Sequence, residues 1–461
     1  MITQESPPSP AKPWSLDGKS NIPRSLLTSP ELSYSLDANH EYTLAELVDL
    51  AEIHNPDTRA AWQNAKARGQ ALGVSRAALF PTITAVALAA NWREGVLIGN
   101  AFHRQTEGLF QPTINLNYLV FDFGGRSGTI EGAKAELLGA DFAFNDTHRR
   151  IIYQVTSSYY RLLDTTGQLD AAQATLLDAR TVEQDARLRL QNGLATMPDF
   201  LEAQAAAAQA DYDLQAAVGA REIAQGDLAT TLSLPPGTQI RTQGIDQITI
   251  PDTITETAEQ AIETALAQRP DLLEQLARVR AADASLKQAR SNYFPSLSFS
   301  GIGGLQRGYG QQDLLPGTYA EGETWNSQLN LQWTLFDGIR REHAISEAKA
   351  ERSKAQAGVA TLRDQVSDEV WAAYSNARTS LRQKVAAAAL LVSADQSYTA
   401  ALRAYDLGVR NLLDVVAAQR TLAQARSADI SARTHVLTNL SNLAFRTGDL
   451  LGIATQKGGQ P

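Results

Sequence analysis

Two stretches of this chain, Arg126 to Asn192 and Arg340 to Leu407, contain no proline. Through the second, Val359, Leu362, Val366, Val370, Tyr374, Ala377, Leu381, Val385 and Ala388 recur at helical spacing. At 1.5 Å per residue a helix of about 67 residues extends roughly 100 Å, far beyond an ordinary domain. Such a rod belongs in an elongated assembly. Its alanines permit close approach of neighbours and its apolar stripe is narrow, so it packs laterally in coiled-coil fashion, and one chain offers too few partners.

The rod occurs twice because the chain is duplicated. Asn55-Pro56-Asp57 reappears as Arg269-Pro270-Asp271 and Leu79-Phe80-Pro81-Thr82 as Tyr293-Phe294-Pro295-Ser296, both at an offset of 214. Phe121-Asp122 matches Phe336-Asp337, Gly193 matches Gly408, Asp199 matches Asp414 and Gln204 matches Gln419, all at 215. Each half reads as a helix, a strand, a loop, a strand, a very long helix, a glycine turn and a helix. The spacing predicts an N-terminal extension over 1–42, a first repeat over 43–232 with strands near 81–97 and 109–121, and a linker over 233–256. A second repeat follows over 257–450 with strands near 295–308 and 325–336, then a tail over 451–461. The leading helices are expected as single elements, Thr43 to Leu79 and Thr257 to Tyr293, each stopped by the proline that follows.

After each proline the apolar spacing changes from helical to alternating. Ile114, Leu116, Tyr118 and Val120 interleave with Thr113, Asn115 and Asn117, and Leu329, Leu331, Trp333 and Leu335 with Gln328, Asn330, Gln332 and Thr334. The other two strands rest mainly on the repeat symmetry. Alternation of this kind suits a soluble sandwich or a membrane barrel. Four strands cannot close a barrel, and an open edge is not viable in lipid, so membrane strands here require further copies of the chain. In a barrel Asn115, Asn117, Gln328, Asn330 and Gln332 would line water, while the Leu, Ile and Trp faces, with Trp92 and Trp325 near strand ends, would meet lipid.

Composition narrows the partners. Lys and Arg total 41 against 50 for Asp and Glu, a net charge of -9 with no long basic stretch, so nucleic acid is not an expected partner. The absence of cysteine removes disulfides and thiolate metal sites. The six histidines, at 40, 54, 103, 148, 343 and 435, lack metal-site spacing, so no metal or other cofactor is expected. Gly301 to Gly310 is glycine-rich but follows a strand without opening a helix, which argues against a nucleotide loop. No catalytic motif is evident, and the reading is of a protein that is not an enzyme. The longest apolar runs, such as Val385 to Val392, fall short of the roughly 20 residues of a spanning helix. The first residues do not read as a secretory signal, so an envelope location implies a leader already removed.

With the duplicated Asn/Arg-Pro-Asp starts, the Phe-Pro strand entries, Phe121-Asp122-Phe123-Gly124-Gly125-Arg126, Leu335-Phe336-Asp337-Gly338 and the two glycine turns each followed by Asp, the chain resembles the TolC-type outer-membrane efflux family from about residue 43 to 450. The resemblance implies a mainly α protein with membrane β structure. A homotrimer would contribute four strands per protomer to a twelve-stranded outer-membrane barrel, continued by a periplasmic α-barrel. Residues 233–256 and the termini would form an equatorial belt. The family's conduits passively export what an inner-membrane pump delivers through a periplasmic adaptor. The competing reading is a soluble coiled-coil scaffold or adaptor-like interaction protein.

The same resemblance implies a periplasmic gate. Around the tip turns at Gly193 and Gly408, the residues Tyr405, Arg410 and Asp414 match the gate tyrosine, arginine and first constriction aspartate, and Asp199 stands where their acidic partner is expected. Ala417 replaces a second constriction aspartate and Pro198 a polar gate residue, so a double acidic ring is not expected. Three copies of Asp414 would favour cations at a narrow opening. Thr196 to Asp199 and Asn411 to Asp414 are equally helix-capping patterns, and capping and gating are compatible.

Overall fold

The computed structural model describes residues 34, 36–37, 39–313 and 315–449. The chain order is β1 (Glu41–Tyr42), α1 (Leu44–His54), α2 (Pro56–Ala77), β2 (Thr82–Ile98), β3 (Ala101–Phe121), α3 (Gly125–Gln191), α4 (Met197–Thr231) and β4 (Arg241–Thr242). It continues through α5 (Ala258–Gln268), α6 (Pro270–Ser291), β5 (Ser296–Gln312), β6 (Thr318–Gln332), α7 (Arg340–Asp406) and α8 (Leu412–Thr447). The two rods, α3 and α7, are each 67 residues long.

Each leading helix is two helices, not one. Proline has no amide to donate and pushes the residue before it out of the helical region. Asn55 and Arg269 accordingly adopt extended backbone, ψ 130° and 122°, while Pro56 and Pro270 open the next helix at a position that needs no donor.

The four long strands form one antiparallel sheet in the order β2-β3-β5-β6. Both hairpins reach further outward than the sequence pattern indicated. β3 starts at Ala101 after a two-residue turn at Gly99 and Asn100, with Gly99 at φ 62°, where a loop to 109 was expected. Polar and charged residues at 103, 104 and 107 masked the alternation there. The glycine-rich stretch from Gly301 lies wholly within β5. β6 runs from Thr318 and ends at Gln332, so Trp333 to Phe336 lie beyond it, and the Trp333 indole donates to the Tyr293 carbonyl at 3.1 Å.

Strand and rod are joined twice by the same device. Phe123 and Gly124 (φ 50° and 98°), and Gly338 and Ile339 (φ 70° and 68°), are consecutive left-handed residues that redirect the chain into α3 and α7. An Asp-Arg pair four residues apart clamps each bend. Arg126, beside Asp122, donates to the carbonyls of Val120 at 3.0 Å and Ala78 at 3.2 Å. Arg341, 3.0 Å from Asp337, donates to those of Thr334 at 2.7 Å and Leu335 at 3.2 Å. Carbonyls left free at these strand and helix ends thus find donors.

The largest core lies midway along α3, where Ile151, Val155, Tyr159 and Leu163 meet Leu47 and Ala51 of α1, Leu228 and Leu232 near the end of α4, and Leu234 and Ile240 of the linker. β1 pairs with β4 in parallel at this level. The second repeat has the corresponding core, Ala261 and Ala265 of α5 with Val366, Val370, Ala373 and Ala377 of α7 and Leu443 of α8, and a charged cluster lies where the two repeats meet near it. Arg269 bonds Asp271 at 2.6 Å and Glu369 at 2.7 Å, Arg446 reaches Glu369 at 2.9 Å, and buried Arg149 pairs with Asp146 at 2.5 Å and donates to the Phe445 carbonyl at 2.8 Å. One stretch of α7 reaches a mean hydropathy of 1.2, the margin for a membrane span. Alanine supplies much of it, and the stretch is part of a rod packed along α8.

Candidate functional site

The far ends of the rods form two hairpin tips of the same design. Gly193 (φ 72°) and Gly408 (φ 73°) terminate α3 and α7 in the left-handed conformation that glycine adopts at no steric cost. The next residue's amide bonds back across the turn, Leu194 to the Arg189 carbonyl at 2.8 Å and Val409 to the Ala404 carbonyl at 2.9 Å, the Schellman pattern. Two residues later a cap opens the returning helix. The Thr196 hydroxyl accepts from the Asp199 amide at 3.4 Å, and the Asn411 side chain accepts from the Asp414 amide at 3.0 Å.

Asp199 and Asp414 occupy equivalent positions yet have different partners. The Asp199 carboxylate accepts from the Thr196 amide at 2.9 Å and hydroxyl at 2.6 Å, which holds its pKa below the ordinary aspartate value. Within the protomer it is a capping group, hydrogen-bonded to neither Tyr405 nor Arg410. Asp414 does not reach back to its cap; its carboxylate lies 3.5 Å from Arg410, an exposed pair within one turn.

Tyr405 is hydrogen-bonded to neither through its side chain. It is buried in a core shared by the two hairpins, with Val182 and Ala186 of α3, Ala203 of α4, Ala401 of α7 and Leu412, Val415 and Val416 of α8. Its hydroxyl has no hydrogen-bond partner, a state that costs about 1–3 kcal/mol. Burial raises its pKa, the Arg189 charge opposes the rise, and the nearby Asp199, Asp185 and Asp406 carboxylates reinforce it, so the phenol stays protonated.

Arg189 is the residue that sequence reasoning missed. Its guanidinium lies 4.4 Å from the Tyr405 ring centre, donates to the Tyr405 carbonyl at 3.3 Å and bonds the Asp406 carboxylate at 2.8 Å. The duplication could not point to it, because the equivalent position in the second repeat is Ala404. The strand-end clamps were also missed, although Asp122 with Arg126 and Asp337 with Arg341 repeat at the same 215-residue offset.

At the other end of the molecule, the strand register brings the five predicted lumen residues onto one face. Asn117 stands opposite Thr82 and Ser300, Asn115 opposite Thr84 and Ile302, and Gln328, Asn330 and Gln332 opposite Ser300, Ser298 and Ser296. The Asn115 side-chain oxygen is buried without a partner within the protomer. The other face carries Ile83, Ile114, Leu116, Tyr118, Leu297, Phe299, Leu305, Trp325, Leu329 and Leu331. Further out this face turns charged, with Arg93, Arg104, Glu323 and an Arg307–Glu321 ion pair. Trp92 departs from expectation. It stands opposite Glu107 on the face of the amides, because its even position in β2 puts it in step with Thr82 and Thr84.

The model of the outer membrane efflux protein family matches residues 47–233 and 261–449, both repeats in turn. The chain belongs to that family. Curated relatives include protein CyaE of Bordetella pertussis, 27% identical over 91% of this chain and 87% of the relative. The toluene efflux pump outer membrane protein TtgC of Pseudomonas putida is 25% identical over 88% and 82%. Among solved structures, a membrane protein from Pseudomonas aeruginosa shares the fold with a TM-score of 0.78 at 23% identity, covering 88% of this chain and 90% of its own. The open Neisseria gonorrhoeae MtrE outer membrane channel does so with 0.72 at 20%, covering 88% of each. This efflux protein is therefore a TolC-type outer-membrane channel reaching into the periplasm, and the soluble-scaffold reading falls. Its relatives are transport channels.

Proposed function

We propose that three copies of this chain close a twelve-stranded barrel in the outer membrane. The resulting duct passively exports cargo handed over by an inner-membrane pump through a periplasmic adaptor. The observation that carries this reading is the sheet. Its outer strands β2 and β6 leave whole edges unpaired within the protomer, beside a face whose apolar stretches run from Leu297 to Leu305 and from Phe110 to Tyr118. That length is close to the about 9–11 residues a tilted strand needs to cross a bilayer. An unpaired edge in hydrocarbon leaves its amides and carbonyls unsatisfied, so β6 of one copy pairs with β2 of the next. The antiparallel alternation allows this without reversing any strand.

Several features fit the same placement. Phe121, Phe123, Phe294 and Trp333 collect at the strand-to-rod junction, where an aromatic girdle meets the headgroups. The amide face around Asn115, Asn117, Gln328, Asn330 and Gln332 then lines the lumen, uncharged at this level and indifferent to the sign of the cargo. The tips present Leu194, Leu407 and Val409, each about three-quarters exposed, as the apolar docking points for the adaptor. Asp414, at the tip with its carboxylate free of the cap, is the candidate for a threefold acidic ring, with Arg410 as its counter-charge.

Native mass spectrometry from detergent tests closure, with three copies expected; a stable monomer or dimer refutes the twelve-stranded barrel. Site-specific crosslinking from position 194 or 409 in host membranes tests the tips. Capture of a periplasmic adaptor is expected, and capture only of other outer-membrane proteins refutes the docking assignment.

A further inference from the structure

We propose that the seam between copies repeats the seam inside the protomer, β6 pairing with β2 of the next copy in the register that sets Trp325 opposite the neighbour's Arg93. This rests on the barrel reading above and adds the register and the residues that fix it. The two hairpins are copies pair by pair. Thr82 faces Asn117 where Ser296 faces Gln332, and Val96 faces His103 where Gly310 faces Thr318, so offsets of 214 on the first strand and 215 on the second carry one hairpin onto the other. The strands that meet mid-sheet, β3 and β5, are therefore the counterparts of β6 and of the next copy's β2. Within the protomer Phe110 stands opposite Arg307, Asn115 opposite Ile302 and Tyr118 opposite Phe299. The same offsets set Trp325 opposite Arg93, Asn330 opposite Leu88 and Trp333 opposite Ala85 across the seam.

Three observations select this register. It keeps Leu329 and Leu331 on the face of Ile83 and the amides on the face of Thr82 and Thr84, whereas a slip of one residue reverses every side chain. Strand ends exclude a slip of two. β3 runs on to Phe121 because β5 pairs its last residues, Leu119 with Ser298 and Phe121 with Leu297. β6 stops at Gln332 although the counterparts Trp333 to Phe336 follow, and Leu335 and Phe336 are each more than three-quarters exposed. The next copy's β2, entering at Thr82 and Ile83, pairs them as β5 pairs the end of β3. Slipping by two leaves either Leu335 and Phe336 or the first residues of β2 without a partner. Charge gives the third observation. Glu323 stands opposite Leu305 on the apolar face and has no ion-pair partner among the described residues of the protomer. In this register it lies diagonal to the neighbour's Arg93, within reach of a long side chain. Within its own hairpin Arg93 donates Nε to the Thr106 hydroxyl at 2.8 Å, which leaves its terminal nitrogens to Glu323 and its planar face to Trp325.

The chain has no cysteine, so paired substitutions read the register directly. Asn330→Cys is combined in turn with Val86→Cys, Leu88→Cys and Ala90→Cys, and each variant is oxidised in outer membranes with a copper catalyst and run on denaturing gels. Within one protomer β2 and β6 are three strand spacings apart, roughly 14 Å, too far for a disulfide, so any bridge joins two copies. The Leu88→Cys pair should give covalent trimer. The other two should lose it, since diagonal neighbours lie about 7–8 Å apart, at the limit of what a disulfide spans. If that pair does not insert, Thr324→Cys with Glu94→Cys reads the same register nearer the outer rim. Arg93→Glu should lower the trimer surviving in heated detergent about fivefold, and adding Glu323→Arg should restore it, which a general loss of folding would not allow. Bridging that is strongest with Val86→Cys or Ala90→Cys, or no rescue by the second reversal, overturns the proposed seam and leaves the barrel standing. No bridge from any pair in folded, membrane-inserted protein overturns the closure of β6 on β2, and the register with it.

Discussion

Replacing Tyr405 by Phe separates two ways of closing the tip. If the hydroxyl seals the gate by a hydrogen bond, as the family resemblance implies, its removal opens the channel. The structure gives the opposite expectation, because within the protomer the hydroxyl is buried with no partner. The ring, its place among Val182, Ala186, Leu412 and Val415, and the Arg189 guanidinium over its face all survive in phenylalanine. What disappears is a penalty of about 1–3 kcal/mol that the closed form carries and an open, hydrated tip does not. Even the lower figure reduces the open-to-closed ratio about fivefold, since 1.4 kcal/mol is a factor of ten. In planar bilayers the variant should open less often, with unchanged conductance per opening. An increase in opening frequency would refute the reasoning and place a hydrogen-bond acceptor for this hydroxyl on a neighbouring copy.

Three further outcomes follow from the packing. Glu369→Gln removes one of the two acids that neutralise Arg269, whose side chain is 4% exposed, and should cost about 2–3 kcal/mol by thermal unfolding, less than a fully buried pair because Asp271 remains. Burial pushes the Asp271 and Glu369 carboxyls up, but the hydrogen bonds and charge of Arg269 outweigh it and hold both below their ordinary values of 3.8 and 4.5. Their stabilisation is therefore complete above those values and lost as pH falls below them, and the melting temperature of the Gln variant should fall less steeply on acidification. Ile339→Gly should stabilise by about 0.5–1 kcal/mol, since a β-branched residue at φ 68° is strained where glycine is not, and no gain in melting temperature would argue against strain at this bend. Gly128→Ala should destabilise by about 1–3 kcal/mol, because the added methyl would lie 2.9 Å from the Gln288 amide nitrogen and 3.0 Å from the Ala284 carbonyl oxygen, backbone atoms of α6 that cannot move aside; an unchanged melting temperature would show that α3 and α6 separate readily.

The parts of this molecule legible in its sequence are those governed by local rules. Proline-free periodic stretches marked both rods to within a residue of their ends, and the glycine-to-cap spacing marked both tips. Alternation put the five amides Asn115, Asn117, Gln328, Asn330 and Gln332 on one face because side-chain direction in a strand has a period of two. The misses have local causes as well. A proline can open a helix as well as end one, so Asn55-Pro56 and Arg269-Pro270 split helices that periodicity alone joined. Charges on the outer half of the hairpins hid strands that leave the apolar zone. Trp92 was placed by residue type, whereas register placed it on the amide face.

The contacts between the repeats were beyond a duplicated pattern, and the reason bears on how the tip works. Duplication supplies two similar hairpins, each complete in its turn and caps, and neither contains the information for how it meets the other. That meeting is asymmetric. Arg189 has alanine as its counterpart, Tyr405 has Leu190, and the two equivalent aspartates differ in that Asp199 is used by its own cap while Asp414 is not. A contact with no copy in the other repeat can be weakened without disturbing the turn or the cap of either hairpin, since those hydrogen bonds are made within each. Separation of the hairpins at the tip would break the Arg189 contacts and open the core they share, with each hairpin keeping its own turn and cap. The contacts that join the hairpins at the tip therefore arise where the two repeats have diverged.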